Sequence, residues 1–108
     1  MSVVNIGLIG AGTVGSGVIK ILNQNKEIIE KRTGVTLNLR SIADNDPDRK
    51  RAVRIPKKKL TTDAWELIND EKIDIIIELV GGTGIANDFV MGALKNGKNV
   101  VTAIMIPK

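Results

Sequence analysis

The sequence has no cysteine, no histidine and no tyrosine, and its only aromatic residues are one Trp and one Phe among 108 residues. Without cysteine and histidine there is no thiol nucleophile, disulfide or imidazole base, and the usual zinc ligands are missing. No catalytic residue of those kinds and no metal centre is expected. A core almost free of aromatics has to be built from Ile, Val and Leu. Long hydrophobic runs are also missing. Stretches such as Ile75-Ile76-Ile77 and Val100-Val101 fall far short of the roughly 18 to 20 residues of a spanning helix, and no signal-peptide pattern is present. No membrane partner is expected, and the default location is cytoplasmic.

What is present is ordinary for a globular domain: 43% apolar and 26% charged residues. A chain of this length hides roughly 60 to 70% of its unfolded surface, enough for one core and not for two. The formal charge of +4 suggests a polyanionic partner until it is resolved along the chain. Arg49, Lys50, Arg51, Arg54, Lys57, Lys58 and Lys59 lie in one acid-free segment, and subtracting these seven leaves the other 97 residues at −3. Basicity is therefore local. Nucleic-acid binding through this segment would call for stacking aromatics, and Trp65 is the only one near it. No nucleic-acid partner is expected.

Hydrophobic periodicity gives the organisation. Val3 to Ile9 is short, apolar and β-branched and runs into Gly10-Ala11-Gly12, the pattern of a parallel strand covered on both faces. From Thr13 to about Arg32 apolar residues recur at helical spacing, and Gly34 suits a left-handed cap. Val35 to Ala43 reads as a second strand closing at Asp44, and Asp44 to Asp48 as turn chemistry. The basic segment reads as a loop with one short helix or strand. Asp63 with Glu66 resembles a capping box for a short helix. Ile73 to Val80 reads as a strand, Gly81-Gly82 as a turn, Ile85 to Asn96 as a helix capped by Gly97, and Asn99 to Thr102 as a further strand. About four strands and three helices in βαβ rhythm predict an α/β fold: a Rossmann-like parallel sheet with helices on both faces, its first half complete and its second begun.

Gly10-Ala11-Gly12-Thr13-Val14-Gly15 fits G-x-G-x-x-G. Its force comes from context, since it follows a strand and opens a helix. Gly10 allows a tight turn, Gly12 lets a pyrophosphate approach, and Gly15 lets helix and strand pack closely. The amides of Gly12, Thr13 and Val14 would then face the anion. Asp44, 29 residues after Gly15, stands where a carboxylate accepts the hydroxyls of the adenosine ribose. A carboxylate there repels a 2′-phosphate and favours NAD, whereas Arg49, Arg51 or Lys57 to Lys59 could pair with that phosphate and favour NADP. Gly81 and Gly82 end the strand after Glu78, where backbone can approach a nicotinamide. Thr102 shares that rim, and Glu78 reads as a buried carboxylate with local partners rather than an acid catalyst.

Four segments in order resemble homoserine dehydrogenases: Ile6 to Val18, Leu60-Thr61-Thr62-Asp63, Ile73 to Gly82 with its E-L-V-G-G ending, and Val100-Val101-Thr102-Ala103. The resemblance spans the chain up to Ala103. It implies an NAD(P)-dependent oxidoreductase interconverting homoserine and aspartate 4-semialdehyde on the route to threonine and methionine, with Gly10 to Gly15 binding cofactor and the Gly81-Gly82 turn beside the nicotinamide. Many members carry an arginine for NADP near the end of the second strand. Asp44 in that neighbourhood tilts the expectation to NAD.

This sequence departs from the family after Thr102-Ala103, where Ile104-Met105 replaces an Asn-Lys pair whose lysine serves at the catalytic centre. The family's substrate-binding and dimerisation regions also come later than residue 108. Residues 1–108 are therefore expected to form a dinucleotide-binding domain truncated before its catalytic half, binding homoserine only together with that half and not turning it over alone. A stand-alone nucleotide-sensing module would carry the same signature. An unpaired sheet edge left by the missing half would seek a partner, and homo-oligomerisation is one way to cover it.

Overall fold

The computed structural model describes residues 2–46, 48–51, 53–80 and 84–102. Its elements are β1 (Ser2–Ile9), α1 (Thr13–Gln24), α2 (Lys26–Thr33), β2 (Val35–Ala43), a 3-10 turn (Lys57–Lys59), β3 (Leu60–Thr61), α3 (Ala64–Ile68), β4 (Ile75–Glu78), α4 (Ile85–Lys95) and β5 (Asn99–Thr102). The strands form one sheet in the order β3-β2-β1-β4-β5, and every pairing is parallel. This is a Rossmann-like α/β fold. The chain proceeds outward from β1 first on one side and then on the other, so the strand order reverses between β1 and β4, where open sheets of this kind leave a crevice.

Register brings the strand ends into a row. Ile9 stands opposite Ala43 and Glu78, Ala43 opposite Thr61, and Glu78 opposite Thr102. The segments that follow these residues therefore lie along one rim of the sheet.

Both faces of the sheet are covered, which explains why the central strands read as continuous apolar runs. On one face Ile9, Ala43 and Ile76 pack with Ala64, Leu67 and Ile68 of α3 and Phe89 and Ala93 of α4. On the other, Leu8 and Ile42 pack with Ile19 of α1 and with Val53 and Ile55 from the basic segment. Successive residues Leu8 and Ile9 thus serve opposite cores, as side-chain alternation along a strand requires. The buried Lys98 runs its apolar stem inward, and its ammonium donates to the carbonyls of Asp70 at 2.6 Å and Ile73 at 2.8 Å, closing the turn between α3 and β4.

Three sequence expectations change. The single helix from Thr13 to about Arg32 is two, broken at Asn25, whose backbone and side-chain nitrogens both donate to the Ile21 carbonyl at 3.0 and 2.8 Å. An amide side chain that competes for helical carbonyls loosens the ladder at that turn. The strand expected over 73–80 is confined to Ile75–Glu78. The short element expected in the basic segment is the 3-10 turn, but the two-residue β3 that follows it and the split helix make, among the described residues, five strands and four α-helices where about four and three were expected. Gly34 and Gly97 take the positive φ expected of helix ends, at 72° and 74°.

Candidate functional site

The glycine-rich turn is built as its sequence requires. Gly10 has φ +98° and donates its N–H to the Ala43 carbonyl at 2.8 Å, tying the end of β1 to the end of β2. A Cβ on Gly15 would collide with the Gly10 carbonyl oxygen and sit 2.9 Å from the Gly10 carbonyl carbon. Glycine at 15 is thus what lets α1 start so close to the strand. The first intrahelical bond recorded there runs from Ser16 N–H to the Gly12 carbonyl at 2.9 Å. The amides of the preceding turn have no helical acceptor, and the residue at the cap of α1 is Gly12, which has no side chain to offer one.

Asp44 follows β2 and is buried. Its Oδ2 accepts from Arg51 at 2.6 Å and faces Arg49 Nε at 3.3 Å, while Oδ1 accepts the Asp46 N–H at 3.2 Å. Burial alone would push its pKa up. The hydrogen bonds from Arg51 and Asp46, together with the charges of both guanidinium groups, outweigh that effect and hold Asp44 below the usual carboxylate value. Arg51 does more than pair with Asp44. It also donates to the carbonyls of Ala11 at 3.1 Å, Arg49 at 3.1 Å and Asp46 at 2.8 Å. One side chain therefore fastens the loop after β2 to the glycine turn. Arg49 lies above the same turn, with a terminal guanidinium nitrogen 3.4 Å from where a Gly12 Cβ would stand.

Asp44 stands at the predicted strand end, but two arginines already meet it, and the Asp44–Arg49–Arg51 group carries a formal charge of +1. Of the basic residues considered for a 2′-phosphate, Arg49 and Arg51 reach this place. Lys58 and Lys59 line a separate recess with Ser41, Glu66 and Asp70.

At the other end of the rim, Glu78 is 1% exposed. It accepts the Val80 N–H and the Thr102 hydroxyl, each at 2.7 Å. Glu78 thus has the local partners that its sequence context suggested. Thr102 is on the expected rim, with its hydroxyl committed to Glu78. Gly81, Gly82, Ala103, Ile104 and Met105 lie outside the described residues.

A cleft of about 500 Å³ opens over the strand ends. Gly10, Ala11, Gly12 and Asp44 line it; Thr13, Val14, Gly15 and Thr102 do not. Val14 is largely exposed, and Gly15 is buried beneath the turn. Sequence reasoning missed the opposite wall, formed by Thr62, Asp63, Ala64, Trp65, Ile85 and Phe89. The signal was available in part. Asp63, read as a helix cap, does accept the Trp65 N–H at 3.0 Å, and a helix starting directly after a rim strand has to present its first residues to that rim.

Comparison with known proteins places this geometry. The family model described as homoserine dehydrogenase, NAD binding domain, matches residues 10–104. The homoserine dehydrogenase of Methylobacillus glycogenes is 41% identical over 103 residues, covering 95% of this chain and 25% of that protein. The Bacillus subtilis enzyme of the same name is 36% identical over 103 residues, 95% of this chain and 24% of its own length. The crystal structure of S. aureus homoserine dehydrogenase at pH 7.5 superposes with a TM-score of 0.90 at 40% identity, covering 95% of this chain and 26% of that one. The chain thus spans about a quarter of the length of these relatives.

Proposed function

The chain belongs to the family of homoserine dehydrogenase NAD-binding domains, and from that premise we propose that its cleft binds a nicotinamide dinucleotide. The observation that carries this reading is the approach of Gly15 to the Gly10 carbonyl. That approach brings Gly12, the residue from which α1 starts, to the wall of the cleft, where amides and the positive end of the helix favour an anion. The residues present fit the group. The Gly12, Thr13 and Val14 amides would hold the pyrophosphate, the Asp44–Arg49–Arg51 group would border the adenosine ribose, and Gly81, Gly82 and Thr102 would border the nicotinamide. The bound cofactor supplies a ring that accepts or gives a hydride; the chain supplies its orientation.

The paired state of Asp44 bears on the choice between NAD and NADP. With its carboxylate neutralised by Arg51 and Arg49 still beside the cleft, the expected repulsion of a 2′-phosphate loses its source. Both dinucleotides are accepted on this reading, and NAD keeps no electrostatic advantage. The activity assigned to the whole protein is interconversion of homoserine and aspartate 4-semialdehyde, on the cytoplasmic route to threonine and methionine. Residues 1–108 are assigned cofactor binding without turnover, because Met105 cannot do the work of the family's lysine and hydride transfer needs a substrate held in productive geometry.

Calorimetric titration with NAD, NADP and a short DNA duplex at two salt concentrations tests the proposal. Saturable binding of both dinucleotides is expected, and Gly12→Asp should abolish it by placing a carboxylate against the pyrophosphate. Saturable binding to DNA alone overturns the reading. Oxidation of homoserine by the purified 108-residue chain would overturn the assignment of binding without turnover.

A further inference from the structure

We propose that Trp65 is the wall on which the purine ring of the dinucleotide stacks, an assignment that rests on the dinucleotide reading above. Trp65 lies three residues beyond Thr62, on the segment that leaves β3. In the strand order β3-β2-β1-β4-β5, a ligand with its pyrophosphate over the end of β1 reaches toward β2 and β3 with one half and toward β4 and β5 with the other. Asp44 and Asn45 after β2 and Thr62 to Trp65 after β3 line the same cleft as Gly10 and Gly12. The β2 and β3 side is therefore the adenosine side, and Trp65 stands on it.

The indole is held ready for a flat partner. Its backbone N–H is fixed by the Asp63 carboxylate, and its ring meets Phe89 edge to face, with centroids 5.4 Å apart and planes at 75°. Its six-membered ring lies on α4 at Gly92, where an added Cβ would come within 2.6 Å of Cζ3. Glycine at 92 is thus the seat of the ring. In spite of these contacts Trp65 remains 41% exposed, in a chain with no other tryptophan. A rigid aromatic surface left open in a cleft beside Ala64, Ile85 and Phe89 matches a purine in shape and polarity. Base–aromatic stacking needs no more than a π-face on each side.

Because Trp65 is the only tryptophan, the emission of the 108-residue chain reports on this one place. Titration with NAD, AMP and nicotinamide mononucleotide separates the two halves of the ligand. Quenching by NAD and by AMP is expected, with no change on adding nicotinamide mononucleotide. By calorimetry, Trp65→Leu should weaken AMP and NAD binding by about 5- to 50-fold, and Trp65→Phe should retain most of the affinity. If the leucine variant does not fold, as judged by circular dichroism, the wild-type quenching and the phenylalanine variant still decide. Unchanged emission while AMP binds, or wild-type AMP affinity in folded Trp65→Leu, overturns the assignment and leaves the dinucleotide reading standing. Absence of any NAD or AMP binding to the wild-type chain removes both.

Discussion

Two strand ends on one rim each bury a carboxylate, and they stabilise it in different ways. Asp44, after β2, meets two guanidinium groups and one backbone N–H. Glu78, at the end of β4, is met by the Val80 N–H and the Thr102 hydroxyl, and among the described residues no cation forms an ion pair with it. The neighbouring backbone accounts for the difference. Beside Glu78, the β4–β5 ladder runs in register from Ile75 and Asn99 to Glu78 and Thr102, so the rim is already ordered and two neutral donors complete it. Beyond Asp44 the chain leaves the sheet until β3 rejoins it for two residues. There Arg51 holds together what no ladder holds, through Asp44 and three carbonyls. The β2 side of the cleft is therefore organised by charge, and the β4 side by the sheet.

The strongest test of this contrast is Arg51→Met. Arg51 has a side chain 7% exposed against an Asp44 side chain 4% exposed. Removing one member of a buried pair typically costs about 3 to 5 kcal/mol, because the other charge is stranded. Arg49 retains part of the compensation, which puts the expected loss near the lower end of that range. Asp44→Asn should cost less, about 1 to 2 kcal/mol, since Arg51 keeps its three carbonyl acceptors. Urea unfolding of the two variants measures both. Equal losses would mean that Arg51 acts only as the counter-ion of Asp44 and would break the contrast with Glu78.

Acid unfolding sharpens the comparison with a smaller effect. Asp44 is held below its ordinary value for the reasons given above. Asp70 is held below its own chiefly by the Arg40 hydrogen bond at 2.8 Å, against partial burial and with help from the Lys72 N–H and the charges of Arg40 and Lys98. A carboxyl with a depressed folded-state value binds fewer protons in the native chain than in the unfolded one. The stability it contributes is complete above the unfolded value, about pH 4, and is lost as pH falls through the depressed value. Denaturation midpoints followed downward from pH 6 should therefore fall in acid, and Asp44→Asn should flatten that fall. An Asp44→Asn profile parallel to wild type would show that the arginines do not favour the ionised carboxylate.

How far the sequence discloses this arrangement depends on the range over which each contact acts. β2 and β5 are legible to the residue, and β1 nearly so, because apolar runs bounded by glycine or by turn chemistry are local signals. The glycine turn is legible for the same reason, since strand, spacing and helix occur together within Val3 to Val18. The pairing of Asp44 is not. Arg51 is one of seven basic residues between positions 49 and 59, and composition cannot say that Arg49 and Arg51 turn to Asp44 while Lys58 and Lys59 line another recess. The seating of Trp65 on Gly92 is equally hidden, because it depends on α3 and α4 sharing one face of the sheet. The break at Asn25 was within reach, since an asparagine on an otherwise regular helix is a known competitor for its carbonyls.

The smallest effect belongs to the β4 rim and carries the most exacting test of the contrast. Thr102→Val keeps the shape of the side chain and removes the hydroxyl that Glu78 accepts at 2.7 Å. Loss of one hydrogen bond to a buried acceptor costs on the order of 1 kcal/mol, and up to about 3 when nothing replaces it. Thr102 is itself exposed, so water can approach from its side, and the expected loss is about 1 kcal/mol. The Val80 N–H remains on the other carboxylate oxygen, and the β4–β5 register does not depend on the hydroxyl. Urea unfolding should therefore show a small shift in midpoint with an unchanged slope. A loss as large as that of Arg51→Met would mean that Glu78 too is the keystone of its side of the cleft, and that the ladder alone does not hold the β4 rim.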